Sequence, residues 1–168
     1  MTLNHFDERG QAIMVDVSAK QPTMRIAVAS ARVSMKPEVL ALILDGSVTK
    51  GDVLGVARLA GISAAKKTPE LIPLSHPLAL HAVSIEFSAE PETGTIEVES
   101  RVKAFERTGV EMEAMVSASV AALTIYDMCK GIDKGITISQ TMLLYKEGGK
   151  SGIFRREGIA PLQNQTER

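Results

Sequence analysis

The sequence predicts an α+β sandwich, an antiparallel sheet with helices packed on one face, and three observations carry that prediction. Gly109 to Gly131 reads as one long helix. Four other stretches alternate apolar and polar residues with the period of a strand. Helical runs fall between the first and second of these stretches, and the long helix between the third and fourth, so strands and helices interleave within one domain. A chain of 168 residues that is 45% hydrophobic has the length and apolar content for a single core.

Residues 1–11 are expected to be a flexible tail that leaves His5 solvated, and Ala12 to Val17 a short strand. Met24 to Ser34 is a strand whose second face is lined by the small residues Ala27, Ala29 and Ala31, with Arg25 at its start. Pro37 opens a helix that runs to Leu44 and is closed by Asp45-Gly46. Lys50-Gly51-Asp52 precedes a second helix, Val53 to Lys66, with Val53, Val56, Ala57, Leu59 and Ala60 on its inner side. Thr68-Pro69-Glu70 starts a further short turn, and Pro73 to Pro77 forms a rigid loop. His81, Val83, Ile85 and Phe87 then alternate with Ala82, Ser84 and Glu86. Glu90 to Gly94 is a hairpin turn, from which Thr95 to Phe105 returns. Ile96, Val98, Ser100, Val102 and Ala104 point inward and Glu97, Glu99, Arg101 and Lys103 outward, giving the sheet one wet face. Thr108 and Glu111 read as a capping box for the long helix, and Gly131 as its stop. Ile136 to Tyr145 is the last strand. This order is ferredoxin-like, with one domain over residues 12–157 and a disordered tail over 158–168.

Composition narrows the function classes. The net charge is -1, with 4 Phe, 2 Tyr and no Trp, which disfavours a nucleic-acid binder. A single cysteine, Cys129, excludes an internal disulfide and a multi-cysteine zinc site. With no transmembrane run, and a polar, acidic N-terminus in place of a signal peptide, the expected location is the cytoplasm, away from membranes. No metal constellation or cofactor motif is present, so none is expected.

The long helix is free of charge from Ala114 to Ile125 and rich in Ala and Ser, which implies burial all round. One chain of this size seldom covers such a helix, so its exposed stripe is expected to meet a second copy. Its polar residues sit at the ends. Glu111 and Glu113 in the first turn suit the macrodipole, so a structural reading competes with a functional one there. Asp127 in the last turn opposes the dipole and needs a partner, for which Lys130 is one choice. At about 100° and 1.5 Å per residue, Glu113 and Asp127 lie within about 40° of one face but about 21 Å apart. An antiparallel pair of such helices across a two-fold axis would bring Glu113 of one copy towards Asp127 of the other, making a shared site.

Elsewhere, Lys50 stands at a helix N-terminus, where a cation opposes the dipole, so a ligand or partner explains it better than helix stability. Lys66 and Lys67 close their helix as a solvated pair would. His76, fixed between two prolines, reads as a preset imidazole or as a plain loop residue, and His81 as a strand-end residue. Gly149-Lys150-Ser151 imitates the end of a phosphate-binding P-loop but lacks its first glycine and a following helix. Lys146 and Lys150 remain as flexible anion ligands. Gathered in one cleft, Lys50, His76, Glu113, Asp127 and Lys130 would supply cations for a polyphosphate, a carboxylate for paired N–H donors such as a guanine edge, and an Asp–Lys pair for proton transfer. Such a site suggests lyase or cyclase chemistry.

The segments Met14-Val-Asp-Val-Ser18, Lys50-Gly-Asp52, Ile72-Pro-Leu-Ser-His-Pro77, Thr108-Gly-Val-Glu-Met-Glu-Ala114, Ala121-Ala-Leu-Thr-Ile-Tyr-Asp-Met-Cys-Lys130 and Gly148-Gly-Lys-Ser-Gly152 resemble the cyclic pyranopterin monophosphate synthase family, the molybdenum cofactor biosynthesis protein C family, from about Met14 to Gly152. The resemblance implies a ferredoxin-like subunit in a hexamer, a trimer of dimers with active sites at the dimer interfaces. It implies as substrate GTP already cyclised by a radical S-adenosylmethionine enzyme, rearranged to a pyranopterin cyclic phosphate with loss of pyrophosphate. Carried over residue by residue, it makes Asp127 the acid/base residue and Lys50 and Lys130 its proton-transfer partners. Leu74, Ser75 and His76 would line the substrate on one side and Met112 and Glu113 on the other, with Arg25, Lys66, Lys146 and Lys150 towards the phosphates. Ser75 departs from the family pattern, where Cys is frequent. The alternative is a non-catalytic oligomeric module that binds a nucleotide or anion, although a carboxylate beside polyphosphate favours chemistry over binding.

Overall fold

A computed structural model describes residues 5–162. The chain runs β1 (Thr23–Ser34), α1 (Pro37–Leu44), α2 (Val53–Lys66), α3 (Thr68–Leu71), β2 (Leu80–Glu90), β3 (Thr95–Glu106), α4 (Glu111–Cys129), β4 (Thr137–Glu147) and β5 (Phe154–Arg155). These strands make one sheet in the order β2-β3-β1-β4-β5, every neighbouring pair antiparallel. Without the short β5 this is the ferredoxin-like arrangement of two interleaved βαβ units, as expected. No helix among the described residues is long and apolar enough to cross a membrane.

β1 is central, paired with β3 along its whole length and with β4 on its other edge. Its residues 27–31 are buried on both faces, which accounts for the small side chains there. Ala27, Ala29 and Ala31 face α4, which answers with Ala114, Ala118 and Ala121, so the helix lies close on the sheet. α2 packs antiparallel to α4: a Cβ added to Gly61 would stand 2.9 Å from the Ser117 carbonyl oxygen. The β2–β3 hairpin turns on Gly94, whose φ of +67° suits glycine and whose amide carbonyl accepts from Met35 N–H at 2.8 Å.

Several expectations need correction. Ala12–Val17 is not a strand; the chain there makes only an isolated bridge, Phe6 to Ala12. Thr108 and Glu111 form no capping box, because α4 begins at Glu111 with Val110 as N-cap and no side-chain cap bond, which leaves Thr108 too far out. The inner face of α2 is Val53, Ala57, Gly61, Ala64 and Ala65, whereas Val56 and Leu59 are exposed. α4 is buried towards the sheet and towards α2 but not all round; Met112 and Leu123 face outward and are exposed. Glu99, expected on the wet face, is buried, because the backbone N–H of Leu162 donates to its Oε2 at 2.6 Å as Ile159–Leu162 crosses that face. The expectation of a disordered tail beyond Gly158 therefore does not describe those residues, and its remainder, 163–168, lies outside the described chain, as do residues 1–4 of the N-terminal tail.

Candidate functional site

The C-terminal end of α4 gathers three charged side chains. Lys130 Nζ donates to Asp127 Oδ1 at 2.5 Å, one helical turn along, and Lys50 Nζ stands 3.9 Å from Asp127 Oδ2. Lys50 also donates to the Asp127 main-chain carbonyl at 2.9 Å. That bond answers the puzzle of a cation before α2: its ammonium satisfies one of the orphan carbonyls at the negative end of α4. The N-terminus of α2 is capped instead by Asp52, which accepts from Gly55 N–H at 2.8 Å. Asp127, exposed and set against the dipole, is held below the ordinary carboxylate range first by Lys130 and then by Lys50, and Lys130 is correspondingly raised by Asp127. At rest the proton stays on Lys130 and Asp127 is ionised, with the Lys50 side chain on its other oxygen.

At the opposite end of α4 it is the carboxyl of Glu113 that is dry. Glu113 is only 2% exposed, and its Oε1 has no hydrogen-bond partner among the described residues. Burial pushes its pKa up to about 7, and the neighbouring Glu111 carboxylate adds to the rise. Met112, beside it, is exposed. Glu111 does not cap; it lies 3.8 Å from Lys146 Nζ, which also donates to Ser151 Oγ. The glycine-rich loop is tied here by shape. Gly149 has a φ of +71°, and any side chain there would run into the Arg25 guanidinium. Arg25 itself is buried and donates to the carbonyls of Glu106 at 3.0 Å and Arg107 at 3.1 Å, so it braces the end of β3.

The loop carrying Leu74, Ser75 and His76 is half-buried and lies at this second end, since Ala79 N–H donates to Glu106 Oε1 at 3.2 Å. His76 Nε2 meets the Val15 carbonyl at 2.7 Å. Lys66, at the C-terminal end of the antiparallel α2, belongs to this end too, and both Lys66 and Lys150 are exposed. One chain thus brings Lys50, Asp127 and Lys130 together and gathers Arg25, His76, Glu113 and Lys146 at the other end of α4, about 21 Å away along the helix. Two residues escaped the sequence reading. Asp52 was legible as an N-cap from its place before an apolar run. Arg107, which holds the Ser18 carbonyl at 3.0 Å, had no signal, since a lone Arg after a strand reads as solvated.

A cavity of about 190 Å³ on the sheet face beneath Ile159 and Leu162 contains none of these residues. It is a gap between the strands and the segment crossing them.

An α+β sandwich with an ionised Asp between two lysines at one end of its longest helix, and a desolvated carboxyl at the other, holds groups able to exchange protons beside an anionic ligand. The MoaC family model matches residues 14–149, and the chain belongs to that family. It is 74% identical over 157 residues to cyclic pyranopterin monophosphate synthase of Geotalea uraniireducens, covering 94% of this chain and 98% of that protein. The synthase of Geobacter metallireducens is 73% identical with the same coverage. That of Trichlorobacter lovleyi is 68% identical over 160 residues, 95% of this chain and the whole of the relative.

Proposed function

We propose that the chain is a lyase with cyclic pyranopterin monophosphate synthase activity in molybdenum cofactor biosynthesis. It converts 3′,8-cyclo-7,8-dihydro-GTP to cyclic pyranopterin monophosphate and releases pyrophosphate. The relatives' shared name supports the reaction, and one observation carries the chemistry: Lys50 and Lys130 converge on Asp127, so a proton donor and a proton acceptor stand within one hydrogen bond of each other. Opening the purine ring needs protons removed and delivered nearby; Asp127 accepts and Lys130 donates. Closing the cyclic phosphate expels pyrophosphate, and the side chains of Lys50, of Lys146 in β4, and of the exposed Lys150 and Lys66 offset the charge that develops. Arg25 contributes from behind, by holding the Gly148–Gly149 loop close.

Substrate recognition falls to the dry end. Leu74, Ser75 and His76 form one wall and Met112 and Glu113 the other. Glu113 accepts paired N–H donors of the guanine-derived edge once ionised, so substrate binding drives its proton off, and affinity rises with pH until it levels above about 7. Because the two ends of α4 lie so far apart, one small substrate cannot span them within a chain. The site is therefore completed across an isologous dimer, with α4 of each copy antiparallel to its mate and the exposed Met112 and Leu123 of α4 and Val56 and Leu59 of α2 covered there. Three such dimers make the hexamer. The enzyme works in the cytoplasm on substrate delivered by a radical S-adenosylmethionine enzyme.

The test is product analysis with purified protein and the C3′–C8 cyclised nucleotide, following pyrophosphate and the cyclic-phosphate pterin. Both products from the wild-type chain, and neither from folded Asp127→Ala, establish the reading. Binding without release would make the protein an anion-binding module instead.

A further inference from the structure

The segment before β1 has no regular structure, yet it is held at several points. Asp16 Oδ1 accepts from Ser18 N–H at 2.8 Å, and Lys20 N–H donates to the Val17 carbonyl at 3.0 Å, which curls the chain into a fixed turn. The Ser18 carbonyl accepts from Arg107 Nη1 at 3.0 Å. The Arg107 main chain is in turn gripped by buried Arg25, whose Nη2 donates to the Arg107 carbonyl. From this anchored turn the Val15 carbonyl points at His76 Nε2, 2.7 Å away. Met14, Asp16, Ser18, His76 and Arg107 line one open depression of about 430 Å³.

A carbonyl oxygen accepts and never donates, so His76 Nε2 must carry the hydrogen in that bond. The remaining ring edge, Nδ1, is then the one that meets a substrate. We infer that Arg107, through the Met14–Ser18 turn, is a positioning residue that fixes His76 as the Nε2–H form and presents Nδ1 as an acceptor. The chain of bonds runs from Arg25 to the Arg107 carbonyl, from Arg107 to Ser18, along the turn to Val15, and from Val15 to the imidazole. Its function rests on the reading of His76 as a residue that lines the substrate; its geometry does not. The prolines at 73 and 77 restrict the loop, and Ser75 N–H donates to the Ile72 carbonyl at 3.0 Å, so the ring reaches Val15 from a stiff base. With the turn released, the imidazole would be free to rotate and exchange its ring protons.

The experiment is long-range proton–nitrogen correlation NMR on full-length protein carrying ¹⁵N-histidine, with His76→Gln to assign the ring. Wild type should show His76 as a single Nε2–H form with a slowly exchanging ring proton. Arg107→Ala should average that signal and speed the proton's exchange with water, Arg107→Lys should largely restore it, and Asp16→Ala should reproduce the loss by loosening the same turn from another point. Turnover of the cyclised nucleotide should fall about fivefold in Arg107→Ala, as for one lost hydrogen bond, and recover in Arg107→Lys. A wild-type His76 in the Nδ1–H form, or a ring signal unchanged in both Arg107→Ala and Asp16→Ala, overturns the inference. Full turnover by His76→Gln would instead overturn the reading of His76 as a substrate residue while the ring signal still decides the tethering.

Discussion

The two ends of α4 carry the same kind of group in opposite states. Glu113 sits where the helix dipole favours a carboxylate, yet its pKa is raised to about 7; Asp127 sits where the dipole opposes one, yet its pKa is lowered. The dipole is worth about 0.3–1 kcal/mol at an exposed terminus, and both local effects outweigh it. At the first end, removal from water dominates and no donor among the described residues answers Oε1. At the second, two ammonium groups do. In the proposed reaction one end would release a proton when donors arrive, and the other would move protons between groups already in contact. Placement on a helix says little about an acid's behaviour; the solvent and the charges around it decide.

The largest break in this comparison comes at the wet end. Asp127→Ala should reduce turnover by about 10² to 10⁴, the range for removing an acid/base group. Because Asp127 is mostly exposed, the thermal midpoint should hardly move. Loss of activity accompanied by unfolding would show the cluster to be structural. A second experiment joins the ends. Asp127→Ala and Glu113→Ala chains, each inactive alone, should regain about a quarter of wild-type turnover when mixed and reassembled, since half the dimers are mixed and each of those keeps one intact site. No recovery in dimers shown to have exchanged would place both residues in a site within one chain.

The dry end is best tested by stability against pH. Glu113 ordinarily titrates near 4.5 but near 7 in the fold, so the folded chain binds the extra proton between these values. Stability from this group is fully present below about 4.5 and is lost as pH rises through about 7, an amount of about 3 kcal/mol. Glu113→Gln should therefore be more stable than wild type at pH 8 by up to that amount and nearly equal to it at pH 4, as read by denaturant melts. Equal stability at both pH values would mean that a partner chain or water already solvates the carboxylate.

Much of this was legible in the sequence, for physical reasons. Period-two alternation and proline and glycine stops give the strands and helices, because those signals are local. Asp127 and Lys50 stood out because each opposes a dipole, and the structure resolves both anomalies with one cluster. What was hidden depends on distant chain. Glu99 reads as solvent-facing from its own strand, and the return of Ile159–Leu162 across that face covers it. The inner face of α2 was ambiguous because Ala57, Gly61 and Ala64 give little apolar contrast against Val56 and Leu59 on the outer side. The bracing of Arg25 and Arg107 involves main-chain carbonyls of residues 106, 107 and 18, which carry no side-chain signature.

Glu111 sharpens the comparison by the smallest expected effect. The sequence motif assigns it to a cap, whose loss costs about 1 kcal/mol. In the fold it begins the helix, makes no cap bond, and its one ion pair among the described residues is with Lys146, at 3.8 Å on a partly solvated surface. Pairs of that kind are worth about 0–1 kcal/mol, so Glu111→Ala should lower stability by about 0.5 kcal/mol or less. Its charge nonetheless helps to raise the pKa of Glu113. Removing it should therefore shift the titration of the folded-state Glu113 to lower pH, seen as a smaller stability loss above pH 4.5 that levels off below about 7. A larger loss of stability with no change in the pH at which Glu113 stops destabilising the fold would return Glu111 to a capping role, whereas an earlier levelling without much loss makes it part of the charge balance around the buried carboxyl.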